Sequence, residues 1–263
     1  MPKFAANLSF LWTEVPFLDR FELAARAGFR GVEYHFPYSF DPVDIKARLD
    51  EFQLAPVLHN LWAGDSAAGE FGIACLPGRE RDFQTSVAQA IHYASKLGTP
   101  RCNCLAGKIP RAANAIEMTE ILVSNLRFAG KEFAKAGLVL TVEPLNSVDT
   151  PGFMLDTSAK AMAVLQQVAL DNVLLQYDLY HMHLMEEDLA MVLKRLLPNI
   201  GHIQFADAPG RHEPGTGTIN LTNLFSHIDN IGYAGWLGAE YRPSAATEAS
   251  FGWFTPYRRD RDG

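Results

Sequence analysis

Cysteine is scarce in this chain. Three residues among 263 cannot all pair, so no disulfide framework is expected, and reduced thiols in a cytoplasmic protein fit the composition. Cys102 and Cys104 fall two apart in a strand-like run, and Cys75 sits in a glycine-containing loop. Basic charge is not in excess either. A formal net charge of -7 leaves no general affinity for nucleic acid, whose phosphates are normally met by a basic surface. No uninterrupted apolar run approaches the about 18 residues of a membrane span, and Met1-Pro2-Lys3-Phe4 enters a strand pattern in place of a signal peptide's apolar core. Neither membrane insertion nor export is expected. Three chemical signatures are also missing: a Gly-x-Ser-x-Gly elbow, a Cys-x-x-Cys zinc pair and a complete Gly-x-Gly-x-x-Gly loop. Gly215-Thr216-Gly217 is a fragment of the last, without the first strand that should precede it.

What is present suits one large core. Hydrophobic residues make up 48% and charged residues 20% of 263, and a single barrel of eight strand–helix units typically needs about 250 residues. Strand-like runs at Phe4-Leu8, Gly31-Tyr34, Leu54-Leu58 and Arg101-Leu105 alternate with helical patterns. The helices are expected from near Pro16 to Ala27, with Gly28 placed to stop it, then over Pro42-Phe52 with Asp41 as N-cap, up to about Leu97, and over Ala115-Ala136. A Gly- and Ala-rich stretch from Asn60 to Gly78 is long for an idle loop and is expected to cover a site or take part in a subunit contact. Four more strands follow, with helices near Thr157-Val168, Asp188-Leu197 and Leu221-Ile231, where Asp188 and Thr222 can act as caps. The last helix, within Thr247-Tyr257, is interrupted by Gly252 and Pro256. Eight units predict an α/β chain folded as a single (β/α)8 TIM barrel over residues 1–258, with 259–263 as a tail.

Each of the last four strands closes on an oxygen-bearing side chain: Glu143 after Leu138-Val142, Asp178 after Val173-Tyr177, Gln204 after Gly201-Ile203, and Glu240 after Trp236-Ala239. A parallel barrel brings them to its C-terminal end, where such folds keep their active sites. Three carboxylates and an amide form an all-oxygen cage that suits magnesium or manganese better than zinc, and a cation would relieve the repulsion among the acids. His202 shares a strand face with Gln204, but Gln204 lies nearer the strand's C-terminal end and is the expected ligand. His181, three residues past Asp178, can face a substrate or orient a ligand. Arg211, in the loop beyond Gln204, offers a fork for a carboxylate. His59 and Lys108, beyond the third and fourth strands, are second-rank groups for an anionic substrate.

These residues lie in a longer pattern. Phe4-Ala5-Ala6-Asn7-Leu8-Ser9, Gly28-Phe29-Arg30-Gly31-Val32-Glu33, Leu58-His59-Asn60-Leu61, Gly72-Ile73-Ala74-Cys75-Leu76-Pro77-Gly78-Arg79-Glu80, Asn103-Cys104-Leu105-Ala106-Gly107-Lys108, Val142-Glu143-Pro144-Leu145-Asn146 and Gln176-Tyr177-Asp178-Leu179-Tyr180-His181-Met182 together resemble the hydroxypyruvate isomerase family of xylose-isomerase-like barrels. The resemblance implies a metal set of Glu143, Asp178, Gln204 and Glu240, with Gln204 where the wider superfamily has histidine. It implies that Glu143 and Glu240 serve as acid and base, and that His181 and Arg211 contact substrate. It also implies interconversion of hydroxypyruvate and 2-hydroxy-3-oxopropanoate (tartronate semialdehyde), with a divalent ion as cofactor and a small hydroxy or oxo acid as partner. Homo-oligomerisation is left open. The nearest rival is a 2-oxo-tetronate isomerase. A ketose 3-epimerase fits less well because of Gln204, an apurinic endonuclease would call for a histidine-rich zinc site and a basic face, and a non-catalytic sugar-acid binder would not need every candidate ligand.

Overall fold

Short apolar segments, each stopped by a turn and followed by an amphipathic helix, close here into a barrel. The computed structural model describes residues 1–110, 113–186 and 188–258. Among these, eight parallel strands run β1 (Lys3–Asn7), β2 (Gly31–Tyr34), β3 (Ala55–Asn60), β4 (Arg101–Cys104), β5 (Val139–Val142), β6 (Val173–Asp178), β7 (Ile200–Phe205) and β8 (Trp236–Ala239). They pair in chain order, and Lys3 to Ala6 of β1 align with Trp236 to Ala239 of β8 to complete the circle. The helices are α1 (Arg20–Arg26), α2 (Pro42–Glu51), α3 (Glu80–Leu97), α4 (Ala115–Lys135), α5 (Ser158–Val168), α6 (Leu179–His183), α7 (Leu189–Leu196) and α8 (Leu221–Asn230). The expected (β/α)8 barrel is the fold; the expected tail, 259–263, lies outside the described residues.

Local chemistry explains most boundaries. The Asp41 side chain accepts from the Val43 N–H at 2.8 Å with Pro42 opening α2, and Asp188 accepts from Met191 N–H at 3.0 Å at the start of α7. Gly28 takes φ +97° beyond α1, a conformation that a side chain would strain. Two expectations change, and one short helix is new. Asn220, not Thr222, caps α8, accepting from Asn223 N–H at 3.1 Å. The short α6 begins directly from strand β6, because Asp178 turns its carboxylate back onto the Tyr180 N–H at 2.8 Å. The chain after β8 forms a run of tight 3-10 turns over Thr247–Tyr257 in place of an α-helix, with Pro256 inside it.

The core lies between barrel and helices. Phe83, Val87, Ala90, Ala94 and Leu97 make the buried stripe of α3, and outward strand residues such as Val32, Leu140, Leu175, Ile203 and Phe205 are fully buried beneath such stripes. Inside the barrel, by contrast, the upper layers are polar. Glu33 of β2 meets His202 of β7 at 2.6 Å, and these strands are not neighbours, so their side chains reach across the lumen. Gly238 leaves the room for this: a Cβ there would come within 2.3 Å of Glu33 Oε1. Ala5, Val57 and Leu58, with Trp236 packed on them, form a separate small apolar cluster. No helix among the described residues is long and apolar enough to cross a membrane.

Candidate active site

The barrel's C-terminal end opens into a cavity of about 1000 Å³. Glu143, His181, Arg211, Glu240 and Lys108 line it, as do Asn60, Phe71, Asp149 and Tyr180. Glu143 and Glu240 stand one residue past β5 and β8, Asp178 ends β6, and Gln204 is the penultimate residue of β7, in register with Asp178. Phe71 brings the long 60–78 stretch into the cavity wall, with the Lys108 ammonium 6.0 Å from its ring centre.

Glu143, Asp178 and His181 each offer a ligand atom within 4.8 Å of the others, and all three are buried. Glu143 Oε2 accepts from Asn103 Nδ2 at 2.9 Å and Gln176 Nε2 at 3.0 Å, whereas the buried Oε1 has no partner. An unsatisfied carboxylate oxygen beside a second carboxylate is an environment that a divalent cation fits. Burial first, then the nearby Glu240 and Asp178 charges, pushes Glu143 well above the ordinary carboxylate range. Burial likewise raises Asp178 to about 7 against the pull of Arg211. Burial would raise Glu240 too, but the Arg211 guanidinium and His35 outweigh it and bring it down to about 2.

Arg211 is the cation set against the acids of the site. Its Nη2 lies 3.2 Å from Asp178 Oδ2 and also donates to Glu240 Oε1, and its guanidinium sits 4.9 Å from the Phe10 ring centre and 5.3 Å from that of Tyr180. Stacking between two rings fixes the plane of the fork. The loop that presents it is tied down by Asp207, a fully buried carboxylate that accepts from the backbone N–H groups of Ala208, Gly215, Gly217 and Ile219 at 2.9 to 3.0 Å. Asp207 was not singled out in the sequence; an acid followed by Ala208-Pro209-Gly210 and two later glycines is the signal of a carboxylate-pinned loop.

His181 has a defined tautomer. Asn146 donates to Nδ1 from its backbone at 3.2 Å and from Nδ2 at 2.7 Å, so the ring proton sits on Nε2, 3.7 Å from Asp178 Oδ2. Burial and then Arg211 lower its pKa to about 3, keeping the ring neutral. Its Nε2–H can therefore donate to a substrate oxygen.

One sequence expectation is corrected by the geometry, and a second residue takes an orientation of its own. His59 does not face the cavity. Strand β3 extends to Asn60, so His59 falls within it and points outward, fully buried, 3.3 Å from Cys102 Sγ and with its ring centre 6.4 Å from that of Tyr34; Asn60 takes the inward place. Burial lowers His59 to about 4 from 6.5. The folded protein thus binds fewer protons here than the unfolded chain, so stability is full above pH 6.5 and falls as pH drops towards 4, by about 3 kcal/mol from this ring. In denaturant melts at pH 7 and pH 4, His59→Leu is expected to lose correspondingly less stability on acidification than the parent; an identical loss would count against the neutral ring. Gln204, for its part, turns its amide nitrogen towards Glu240 and Glu33 and gives its oxygen to Gln176 Nε2 at 2.6 Å. In this arrangement it is a donor to Glu240, with its oxygen turned to Gln176.

Residues 21–257 match the family described as xylose isomerase-like TIM barrel. The chain belongs to this family. Within it, the chain is 48% identical to hydroxypyruvate isomerase of Escherichia coli K12, over 98% of this chain and 100% of that protein. It is 45% identical to 2-oxo-tetronate isomerase of Cupriavidus necator, over 98% of this chain and 99% of that one. A crystal structure from Brucella melitensis, named as a family 2 AP endonuclease, superposes with a TM-score of 0.96 at 42% identity, over 98% and 100% of the two chains. This xylose-isomerase-like barrel is thus closely related to both named isomerase groups.

Proposed function

We propose that the chain is an isomerase of a small 2-oxo hydroxy acid, interconverting hydroxypyruvate and 2-hydroxy-3-oxopropanoate by proton transfer through an enediolate. The observation that carries this is the pair Glu143 and Glu240 in one cavity, each with one oxygen held by buried amides, while the other oxygen of Glu240 meets Arg211 and that of Glu143 has no partner. Two carboxyl groups at opposite sides of a small substrate can remove a proton from one carbon and deliver one to its neighbour. The His181 Nε2–H donates to an oxygen of the reacting carbons, and Arg211, with Lys108 across the cavity, receives the substrate carboxylate.

Glu143 and Asp178, with Glu240 beside them, are the residues that would hold a divalent ion, magnesium or manganese by the hardness of the donors. A bound ion would supply positive charge where the enediolate's negative charge develops. A second reading, a four-carbon 2-oxo-tetronate as substrate, is supported by the Cupriavidus relative. An endonuclease role, suggested by the name of the Brucella protein, is disfavoured by the net charge of -7 and by a site built from carboxylates with a single histidine in the cluster.

Hydroxypyruvate and 2-oxo-tetronate assayed side by side, before and after thorough chelation, test the proposal. Turnover of at least one, lost on chelation and restored by magnesium or manganese, is the expected result. Turnover indifferent to chelation would remove the metal from the mechanism, and turnover of neither acid would remove the function.

A further inference from the structure

Beneath the two glutamates, side-chain amides from β1, β6 and β7 have every N–H committed. Asn7 Nδ2 donates to Glu33 Oε1 at 2.9 Å and to Glu240 Oε2 at 3.1 Å. Gln204 Nε2 donates to the same two oxygens, the first at 2.7 Å. Gln176 Nε2 donates to Glu143 Oε2 at 3.0 Å and to Gln204 Oε1 at 2.6 Å, while its own oxygen accepts from Thr141 Oγ1 at 3.1 Å. The whole belt is buried: Asn7, Gln176 and Gln204 are each 1% exposed and Glu33 is 0% exposed.

An amide can be turned over at almost no steric cost, because its oxygen and nitrogen are nearly the same size. A belt of amides therefore has two possible directions. Only a partner of fixed polarity chooses between them, and a carboxylate whose oxygens meet donors on every side is one. Glu33 is that partner on the side away from the substrate. Its Oε1 takes one hydrogen from Asn7 and one from Gln204, and its Oε2 takes the His202 Nε2–H at 2.6 Å. With the Gln204 nitrogen facing Glu33, its oxygen must face Gln176, whose nitrogen must then face Glu143. Glu240 and Glu143 each receive these amide donors on Oε2 only, which leaves Oε1 of each for the cavity.

We propose that Glu33 is a positioning residue: the acceptor that sets the direction of the amide belt and, through it, the orientation in which the carboxyl groups of Glu143 and Glu240 are held towards the substrate. The inference rests on the acid–base reading of those two glutamates. It does not require Glu33 to touch substrate, and Glu33 is not part of the cavity lining.

The test compares Glu33→Met with Glu33→Gln. Methionine has the length but no acceptor, and leaves one N–H each on Asn7 and Gln204 unmatched; kcat is expected to fall about 100-fold with KM changed less than about threefold, as for a misaligned reacting group. Glutamine can turn its oxygen to Asn7 and Gln204 and its nitrogen to His202 Nε2, once the His202 proton moves to Nδ1, which has no partner now. It is expected to keep kcat within about threefold of the parent. Equal losses in both variants would mean that the charge matters and not the acceptor, and an unimpaired methionine variant would mean that neither does; each overturns the proposal. A second readout needs neither turnover nor a folded methionine variant. In protein labelled with ¹⁵N at Gln and Asn, the side-chain N–H groups of Gln204 and Asn7 are expected to exchange slowly with solvent in the parent and in Glu33→Gln. Rapid exchange in the parent would overturn the belt itself. If the parent turns over neither oxo acid yet shows protected amides, the acid–base reading fails while the belt stands.

Discussion

Glu143→Gln and Glu240→Gln are each expected to lose about a thousandfold or more in kcat, within the range for removal of a positioned acid or base, while their effects on stability diverge. Glu143 has an oxygen without a partner and is pushed towards its neutral form by burial and by two neighbouring acids. Glutamine in its place can keep its oxygen towards Asn103 and Gln176 and puts an N–H where the lone oxygen was. The variant should therefore be as stable as the parent, or more stable by about 1 kcal/mol, because a strained buried acid has been removed. Glu240 is the opposite case. Its Oε1 takes the Arg211 guanidinium and its Oε2 takes Asn7 and Gln204, so glutamine must turn an N–H towards a donor and should cost about 1–3 kcal/mol. Steady-state kinetics beside thermal melts distinguish the two. Near-parental isomerisation by either variant would remove that residue from the mechanism.

The divergence has one origin, the placing of a single guanidinium. Arg211 lies against Asp178 and Glu240 and not against Glu143, so within one cavity one glutamate is held ionised and the other towards its neutral form.

The barrel and the site's location were legible in the sequence because each depends on local pattern. An apolar run ending in Glu143 before Pro144, or in Asp178 before a helical segment, marks a strand end whatever the rest of the chain does. Parity was less legible. Ending the third strand at Leu58 made His59 a rim residue, whereas the strand's alternation continues to Asn60, which turns His59 outward and Asn60 inward. The lumen was least legible. Asn7, Glu33, Asn103, Thr141 and Gln176 alternate with apolar neighbours, which in an open sheet would mean a face turned to water. A closed barrel buries both faces, so the same alternation means an internal polar network, visible only once closure is assumed. The direction of the Gln204 amide depends on Glu33, far away in sequence, and no local pattern encodes it.

Arg211→Ala is expected to lower kcat/KM by about 100-fold or more on a carboxylated substrate, the scale of a lost charge-assisted fork in a site that excludes water, and by much less on an uncharged ketose of similar length. The comparison matters because Arg211 does two things. It neutralises Asp178 and Glu240, a duty that any substrate would feel, and under the proposed function it receives the substrate carboxylate, which only an acid would feel. Equal losses on both substrates would leave only the first duty. Arg211→Lys sharpens the distinction, since a lysine keeps the charge but cannot stack as a plane between Phe10 and Tyr180 or bridge two acids while offering a fork. It should recover most of the loss on the ketose and little of the loss on the oxo acid. The loop supports this reading, because Asp207 ties down four backbone N–H groups around the segment that carries Arg211. A side chain that served only to balance two buried acids would not need its plane fixed by two rings and its loop fixed by a third acid, whereas one that must meet a planar carboxylate does.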